Sequence, residues 1–149
     1  MKTRMFVSIL ILNVTVLIIL GDCATKQKAI SEKEAKDALV GTWINPEYLA
    51  TSRYRQKRVF TTEGKAIWYN KVTSKEPMLQ QNYTIVESWR DRKGDIWYKL
   101  IVGFATDRFK YLAKINISEN TFEYLELGGA RFPTEIDPTH VNYRIYYRQ

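Results

Sequence analysis

The stretch FKYLAKINI, residues 109–117, alternates its side chains as a β-strand with one buried face does. The opposite face carries Lys110, Lys114 and Asn116, with Leu112 among them. This pattern predicts a strand with the core on one side and solvent on the other. The core-facing side chains would be Phe109, Tyr111, Ala113, Ile115 and Ile117.

Segments of similar length lie on both sides of this strand and are separated mostly by short polar turns, two of which contain Gly64 and Gly94. We expect strands over residues 41–45, 54–61, 66–72, 82–89, 95–103, 109–117, 121–127 and 141–148. Such short strands in hairpin order predict an all-β fold, an eight-stranded antiparallel up-and-down β-barrel, with a two-sheet sandwich as the alternative. A barrel of this size is filled by side chains or holds one small ligand.

The segment TKQKAISEKEAKDAL, residues 25–39, has a helix-like composition instead. Ser31 followed by Glu34 forms a capping box, which predicts a short helix that starts at Ser31. Ala35, Ala38 and Leu39 make a thin apolar stripe on it. We expect a flexible spacer before this helix and expect the helix to cover the barrel.

The N-terminus has the composition of an export signal, with Lys2 and Arg4 followed by an apolar run. That run, residues 5–20, is shorter than the roughly twenty residues of a membrane-spanning helix, so a retained transmembrane anchor is the second choice. The expected organisation is a signal peptide over 1–22, a tether and short helix over 23–38, and the barrel over 39–149.

Cys23 is the only cysteine, which excludes an internal disulfide and multi-cysteine metal sites. The sequence LGDC, residues 20–23, resembles the lipobox of bacterial lipoproteins, with Asp22 where Gly or Ala is usual. The resemblance implies lipidation of Cys23 and a membrane-anchored protein of the bacterial cell envelope. The alternative is an ordinary signal peptide with an incidental cysteine, and a periplasmic or secreted protein.

The formal net charge is +7, and loss of residues 1–22, with two cations and one carboxylate, leaves +6. Such an excess favours anionic surfaces. The densest cluster of cations is interpreted as a solvated sheet face, and no nucleic-acid partner is expected. Its members are Arg53, Arg55, Lys57 and Arg58.

The sequence shows no pattern that indicates catalysis. His140 is the only histidine, and the chain lacks the Gly-x-Ser-x-Gly motif of a nucleophile elbow. Its turn aspartates have no metal-ligand spacing, and no glycine-rich phosphate loop is present. We therefore expect no enzyme, no metal and no cofactor.

The segment LVGTW, residues 39–43, resembles the lipocalins and their calycin relatives, which carry Gly-x-Trp at the opening of the first strand. The resemblance implies that Trp43, following Gly41, plugs one end of the barrel. It also implies that an arginine of the last strand, Arg144 or Arg148, packs over Trp43. The family resemblance further implies that the protein binds something apolar.

Aromatic residues on different strands are the candidate ligand-binding side chains: Trp68, Tyr83, Tyr98, Tyr111 and Tyr143. If they face inward, they line a cavity suited to an amphipathic molecule, and the alternative is that they fill the barrel. The first functional hypothesis is an exported, lipid-anchored monomer that binds a small hydrophobic or amphipathic molecule. The second is a non-catalytic envelope interaction module with a filled core and a basic outer face, and an enzyme ranks lowest.

Overall fold

The computed structural model describes residues 27–48, 55–103, 108–128 and 131–149. The expected signal peptide and Cys23 lie outside these residues. The elements are β1 (Lys28–Ala29), α1 (Glu32–Leu39), β2 (Gly41–Ile44), β3 (Lys57–Phe60), β4 (Lys65–Tyr69), β5 (Leu79–Arg90), β6 (Ile96–Gly103), β7 (Arg108–Asn116), β8 (Thr121–Gly128) and β9 (Tyr143–Arg148).

Strands β2 to β9 form a closed barrel. Each pairs antiparallel with the next along the chain, and β9 returns to pair with β2, where Trp43 lies opposite Arg148. The predicted all-β, eight-stranded antiparallel barrel is therefore confirmed, and the two-sheet sandwich is not the fold. Closure leaves none of these eight strands as the free edge of an open sheet.

The strand bounds differ from the predicted ones where pairing partners end. Strand β5 begins earlier than predicted because Leu79 pairs with Trp68. Strand β7 ends at Asn116, because the pairing of β7 with β8 ends where Asn116 lies opposite Thr121. Ile117 therefore lies in the turn, and its side chain is 48 % exposed. The prediction that Ile117 faces the core was therefore wrong.

Strand β1 replaces part of the expected flexible spacer. Lys28 lies opposite Arg90 and Ala29 opposite Trp89 of β5. Strand β4 pairs with β5 only as far as Asn82, so the second half of β5 has backbone N–H and C=O groups that β4 does not reach. Strand β1 pairs with some of these groups. Both residues of β1 are exposed, so no apolar pattern announces this strand.

Helix α1 covers one end of the barrel, here called the closed end. Its N-cap is Ser31, whose side-chain oxygen accepts a hydrogen bond from the Glu34 backbone N–H at 3.1 Å, as the capping box predicted. Ala35 and Leu39 are buried, and the Tyr98 hydroxyl donates to the Ala35 carbonyl at 3.0 Å. The apolar stripe of α1 thus completes the core at this end.

The half of the barrel nearest α1 is filled with side chains. Phe122 lies at its centre, with its ring centroid 5.5 Å from that of Trp43 and 5.4 Å from that of Phe60. Aliphatic side chains and two tyrosines belong to the same core cluster, and all of them are buried: Leu39, Tyr83, Ile96, Tyr98, Leu100, Val102 and Ile115.

Gly41 is required where α1 passes into β2, and we expect Gly41→Ala to destabilise the barrel. Its φ is 142°, which side chains rarely adopt, and an added Cβ would lie 3.1 Å from Nη2 of Arg148. We predict a loss of about 1–3 kcal/mol in the free energy of unfolding, measured by urea denaturation. Gly128→Ala is the matched control because a Cβ there meets no atom within 4 Å. Equal stability of both variants would contradict the prediction.

Candidate functional site

A cavity of about 330 Å³ occupies the other half of the barrel. The course of β5 shows where the cavity lies. Arg90, the last residue of β5, forms an ion pair with Glu34 of α1 at the closed end. Leu79, the first residue of β5, lines the cavity at the opposite end. Side chains of β3, β4, β5, β7, β8 and β9, with residues just before β3 and β9, form the wall: Arg55, Arg58, Trp68, Leu79, Gln81, Phe109, Tyr111, Tyr124, Glu126, Asn142, Arg144 and Tyr146. The barrel is thus filled at the closed end and hollow at the other.

Arg58 is the central side chain of the cavity wall. It shares the inward face of β3 with Phe60 and is only 3 % exposed. Its guanidinium carbon lies 4.6 Å from the ring centroid of Trp68 and 4.4 Å from that of Tyr124. Such cation–π contacts are attractive and strengthen when water is excluded, so the two rings fix the guanidinium in place.

Two nitrogens of this guanidinium lack a hydrogen-bond partner. Nε and Nη1 of Arg58 are buried and have no hydrogen-bond partner. The ion pairs seen within the described residues, which include Lys33–Asp37, Arg90–Glu34, Lys99–Glu87 and Lys114–Glu123, do not involve Arg58. Buried polar groups are nearly always hydrogen-bonded, so this pair of N–H groups calls for an acceptor.

The cavity is positively charged. Its wall holds the guanidinium groups of Arg55, Arg58 and Arg144 and, among the described residues, one carboxylate, Glu126. Burial, and after it the charge of Arg58, lowers the pKa of Arg55. The pKa of the Tyr111 hydroxyl is raised by burial, which outweighs the opposing charge of Arg58, so this phenol stays neutral at physiological pH.

The structure places the predicted ligand-binding residues in three different environments. Trp68 and Tyr111 line the cavity. Tyr83 and Tyr98 do not line it; they belong to the filled half, where the Tyr83 hydroxyl donates to the Thr61 carbonyl at 2.9 Å. Tyr143 points outward and donates to Glu123 at 3.1 Å, because its neighbours Arg144 and Tyr146 take the inward positions of β9.

The arginines were the part of the site that sequence analysis missed. Arg58 was assigned to a solvated cluster, and the structure corrects this because the side chain is buried inside the barrel. A signal was present in the strand KRVF, residues 57–60, where Arg58 has the same parity as Phe60. Arginine side chains are mostly exposed. The sequence of one strand is therefore not enough to show that an arginine on it faces the core.

The closed end contains the two residues of the Gly-x-Trp motif. Trp43 is fully buried, and its Nε1 donates to the Leu39 carbonyl at 2.9 Å. The guanidinium carbon of Arg148 lies 5.0 Å from the Trp43 ring centroid, and its nitrogens donate to the Ala38 and Val40 carbonyls. Arg144, the other arginine considered for this position, instead lines the cavity.

A second concavity, of about 800 Å³, lies on the outer surface. Its floor includes Trp89 and Trp97, whose rings stack with centroids 6.1 Å apart. Phe132 and Pro133, from the segment between β8 and β9, lie across the same face and line the concavity together with Leu112. This covering segment accounts for the burial of Leu112 on the face predicted to meet solvent.

Together these features define the class of protein as a closed antiparallel β-barrel with a positively charged internal cavity. No protein-family model matches the chain, and neither curated proteins nor solved structures give a match. Within residues 27–48, 55–103, 108–128 and 131–149, no helix has the length and apolar character needed to cross a membrane. The same part of the chain holds no group of three or more His, Cys, Asp or Glu residues placed to bind a metal.

Proposed function

We propose that this protein is a lipocalin-like binding protein that holds one small amphipathic molecule inside its barrel. The observation that carries the proposal is the 330 Å³ cavity, which lies at the lower end of the range of about 300–1,000 Å³ for small-molecule sites. The rings of Trp68, Tyr111, Tyr124 and Tyr146 offer apolar surface. Polar groups such as those of Gln81 can orient a bound molecule.

The closed end supports the lipocalin resemblance. Arg148 packs over Trp43, and a short helix precedes the strand that carries this tryptophan. The arrangement holds α1, the first strand and the last strand together at one end of the barrel. The cavity end is then the entrance for a ligand.

Export and lipid anchoring through Cys23 belong to the same proposal. Only Ala24, Thr25, Lys26 and Gln27 separate Cys23 from β1. At full extension, Cys23 and Lys28 are at most about 17 Å apart. A lipidated Cys23 would therefore keep the barrel close to the membrane surface. Mass spectrometry of the protein purified from a bacterial envelope should show a mature N-terminus at a lipidated Cys23. An unmodified Cys23 would contradict the anchor and leave the cavity proposal untouched.

Ligand binding is tested with two substitutions of the same kind on opposite faces of β5. Gln81 is buried against the cavity, whereas Gln80 is exposed on the outer face. The protein used is the chain from residue 23 with Cys23→Ser. We expect titration with octanoate or octan-1-ol to change its tryptophan fluorescence, because Trp68 lines the cavity. Gln81→Phe fills the cavity and should weaken binding at least about tenfold, because an overfilled site excludes the ligand.

Gln80→Phe is the matched control and should bind as the unsubstituted chain does. The proposal is overturned if neither molecule binds at millimolar concentration. It is equally overturned if Gln81→Phe, shown to be folded by circular dichroism, binds as tightly as Gln80→Phe.

A further inference from the structure

We infer that the cavity selects a small monocarboxylate whose carboxylate group accepts a hydrogen bond from an unpaired N–H group of Arg58. This inference rests on the proposed function and adds the chemical class of the ligand. Among the described residues, Arg58 is a 3 % exposed cation with two nitrogens that lack a hydrogen-bond partner. A carboxylate accepts hydrogen bonds only, so it matches a group that only donates them.

The rings around Arg58 leave these N–H groups available. Trp68 and Tyr124 lie within 5 Å of the guanidinium carbon and contact the cation through their faces. Cation–π contact stabilises the charge but provides no acceptor in line with an N–H bond. The arrangement therefore orients the guanidinium while its Nε–H and Nη1–H stay free for a ligand.

The charge of the cavity favours an anion over a neutral molecule. Among the described residues, the guanidinium groups of Arg55 and Arg58 lie on a wall that holds one carboxylate, Glu126, and no ion pair within these residues joins Glu126 to Arg58. The buried hydroxyls of Tyr111 and Tyr124 keep their protons at neutral pH, since burial raises their pKa. A bound carboxylate would offset the excess positive charge in a site where little water is available to do so.

The size of the cavity limits the apolar part of the ligand. A volume of about 330 Å³ suits a compact molecule, and the rings of Tyr111 and Tyr146 lie on the wall beside Arg58. Short-chain and small aromatic carboxylates fit this description. Octanoate is the probe chosen here because octan-1-ol has the same chain length without the charge.

The test compares these two probes by isothermal titration calorimetry on the chain from residue 23 with Cys23→Ser. We expect octanoate to bind at least about tenfold more tightly than octan-1-ol, because hydrogen bonds to ionised groups are the stronger ones. Arg58→Met should remove this preference and leave octan-1-ol binding within about threefold. Arg92→Met, in an exposed turn outside the cavity, is the matched control and should change neither affinity.

Glu126→Gln provides an independent test that keeps Arg58. Removing the carboxylate of Glu126 from the wall should strengthen octanoate binding by about three- to tenfold and leave octan-1-ol binding unchanged. If Arg58→Met fails to fold, the probe ratio in the unsubstituted site and the Glu126→Gln result decide the matter. Equal binding of both probes, with no effect of Glu126→Gln, overturns the carboxylate inference alone. Absence of binding by both probes overturns the proposed function with it.

Discussion

Trp43→Ala is expected to lower the free energy of unfolding by about 3–5 kcal/mol, the range for removal of a fully buried large aromatic side chain. Trp43 is 0 % exposed and contacts Phe122 in the filled half of the barrel. Its removal leaves a cavity there and also removes the hydrogen bond from Nε1 to the Leu39 carbonyl. Arg148 loses the ring over which its guanidinium lies.

The measurement is urea denaturation followed by circular dichroism, with Trp89→Ala as the matched control. Trp89 is a partly exposed tryptophan of the outer face that stacks on Trp97. Its replacement should cost no more than about 1.5 kcal/mol, the upper value of an aromatic pair interaction. Similar losses in the two variants would mean that Trp43 is not the residue that holds the closed end together.

The architecture could be predicted because its signals are local and repeated. Alternation in FKYLAKINI gave the inward residues Tyr111, Ala113 and Ile115, and all three are buried. The capping box at Ser31 gave the helix start. Period-two patterns and turn residues act within a few positions of each other, so a single sequence contains them in full.

The hollow half of the barrel could not be predicted because it depends on contacts between distant strands. Whether inward rings fill a barrel or leave space depends on the tilt and register of every strand. Tyr98 reaches α1, whereas Tyr111 lies on the cavity wall, although both alternate inward on adjacent strands. Parity alone does not give the height of a side chain along the barrel axis.

Arg58 was misassigned for a related reason. Its strand is short, and the cations beside it are typical of a solvated face. Of the partners that hold Arg58 in the interior, Trp68 lies opposite it in the β3–β4 hairpin, but Tyr124 on β8 is far from it in sequence. A buried cation is recognised only when the fold shows which aromatic faces surround it.

Arg58→Met is the second substitution with a large expected effect, and it should raise the free energy of unfolding by about 1–4 kcal/mol, the size of the gain when apolar residues replace buried ion pairs. Burying a cation costs several kcal/mol, and each N–H without an acceptor adds about 1–3 kcal/mol. The cation–π contacts with Trp68 and Tyr124 stabilise the buried cation by about 2 kcal/mol each. Their sum is smaller than the free energy lost through burial and the unpaired N–H groups. Methionine has a similar length and packs well against aromatic rings.

Urea denaturation without ligand measures this effect, and Arg92→Met, at an exposed position, should stay within about 0.5 kcal/mol of the unsubstituted chain. A more stable Arg58→Met variant that no longer prefers octanoate would identify Arg58 as a residue kept for binding at the expense of folding. A less stable variant would show that the aromatic contacts outweigh the unpaired N–H groups. The guanidinium would then be part of the core, and its unpaired N–H groups would no longer argue for a ligand.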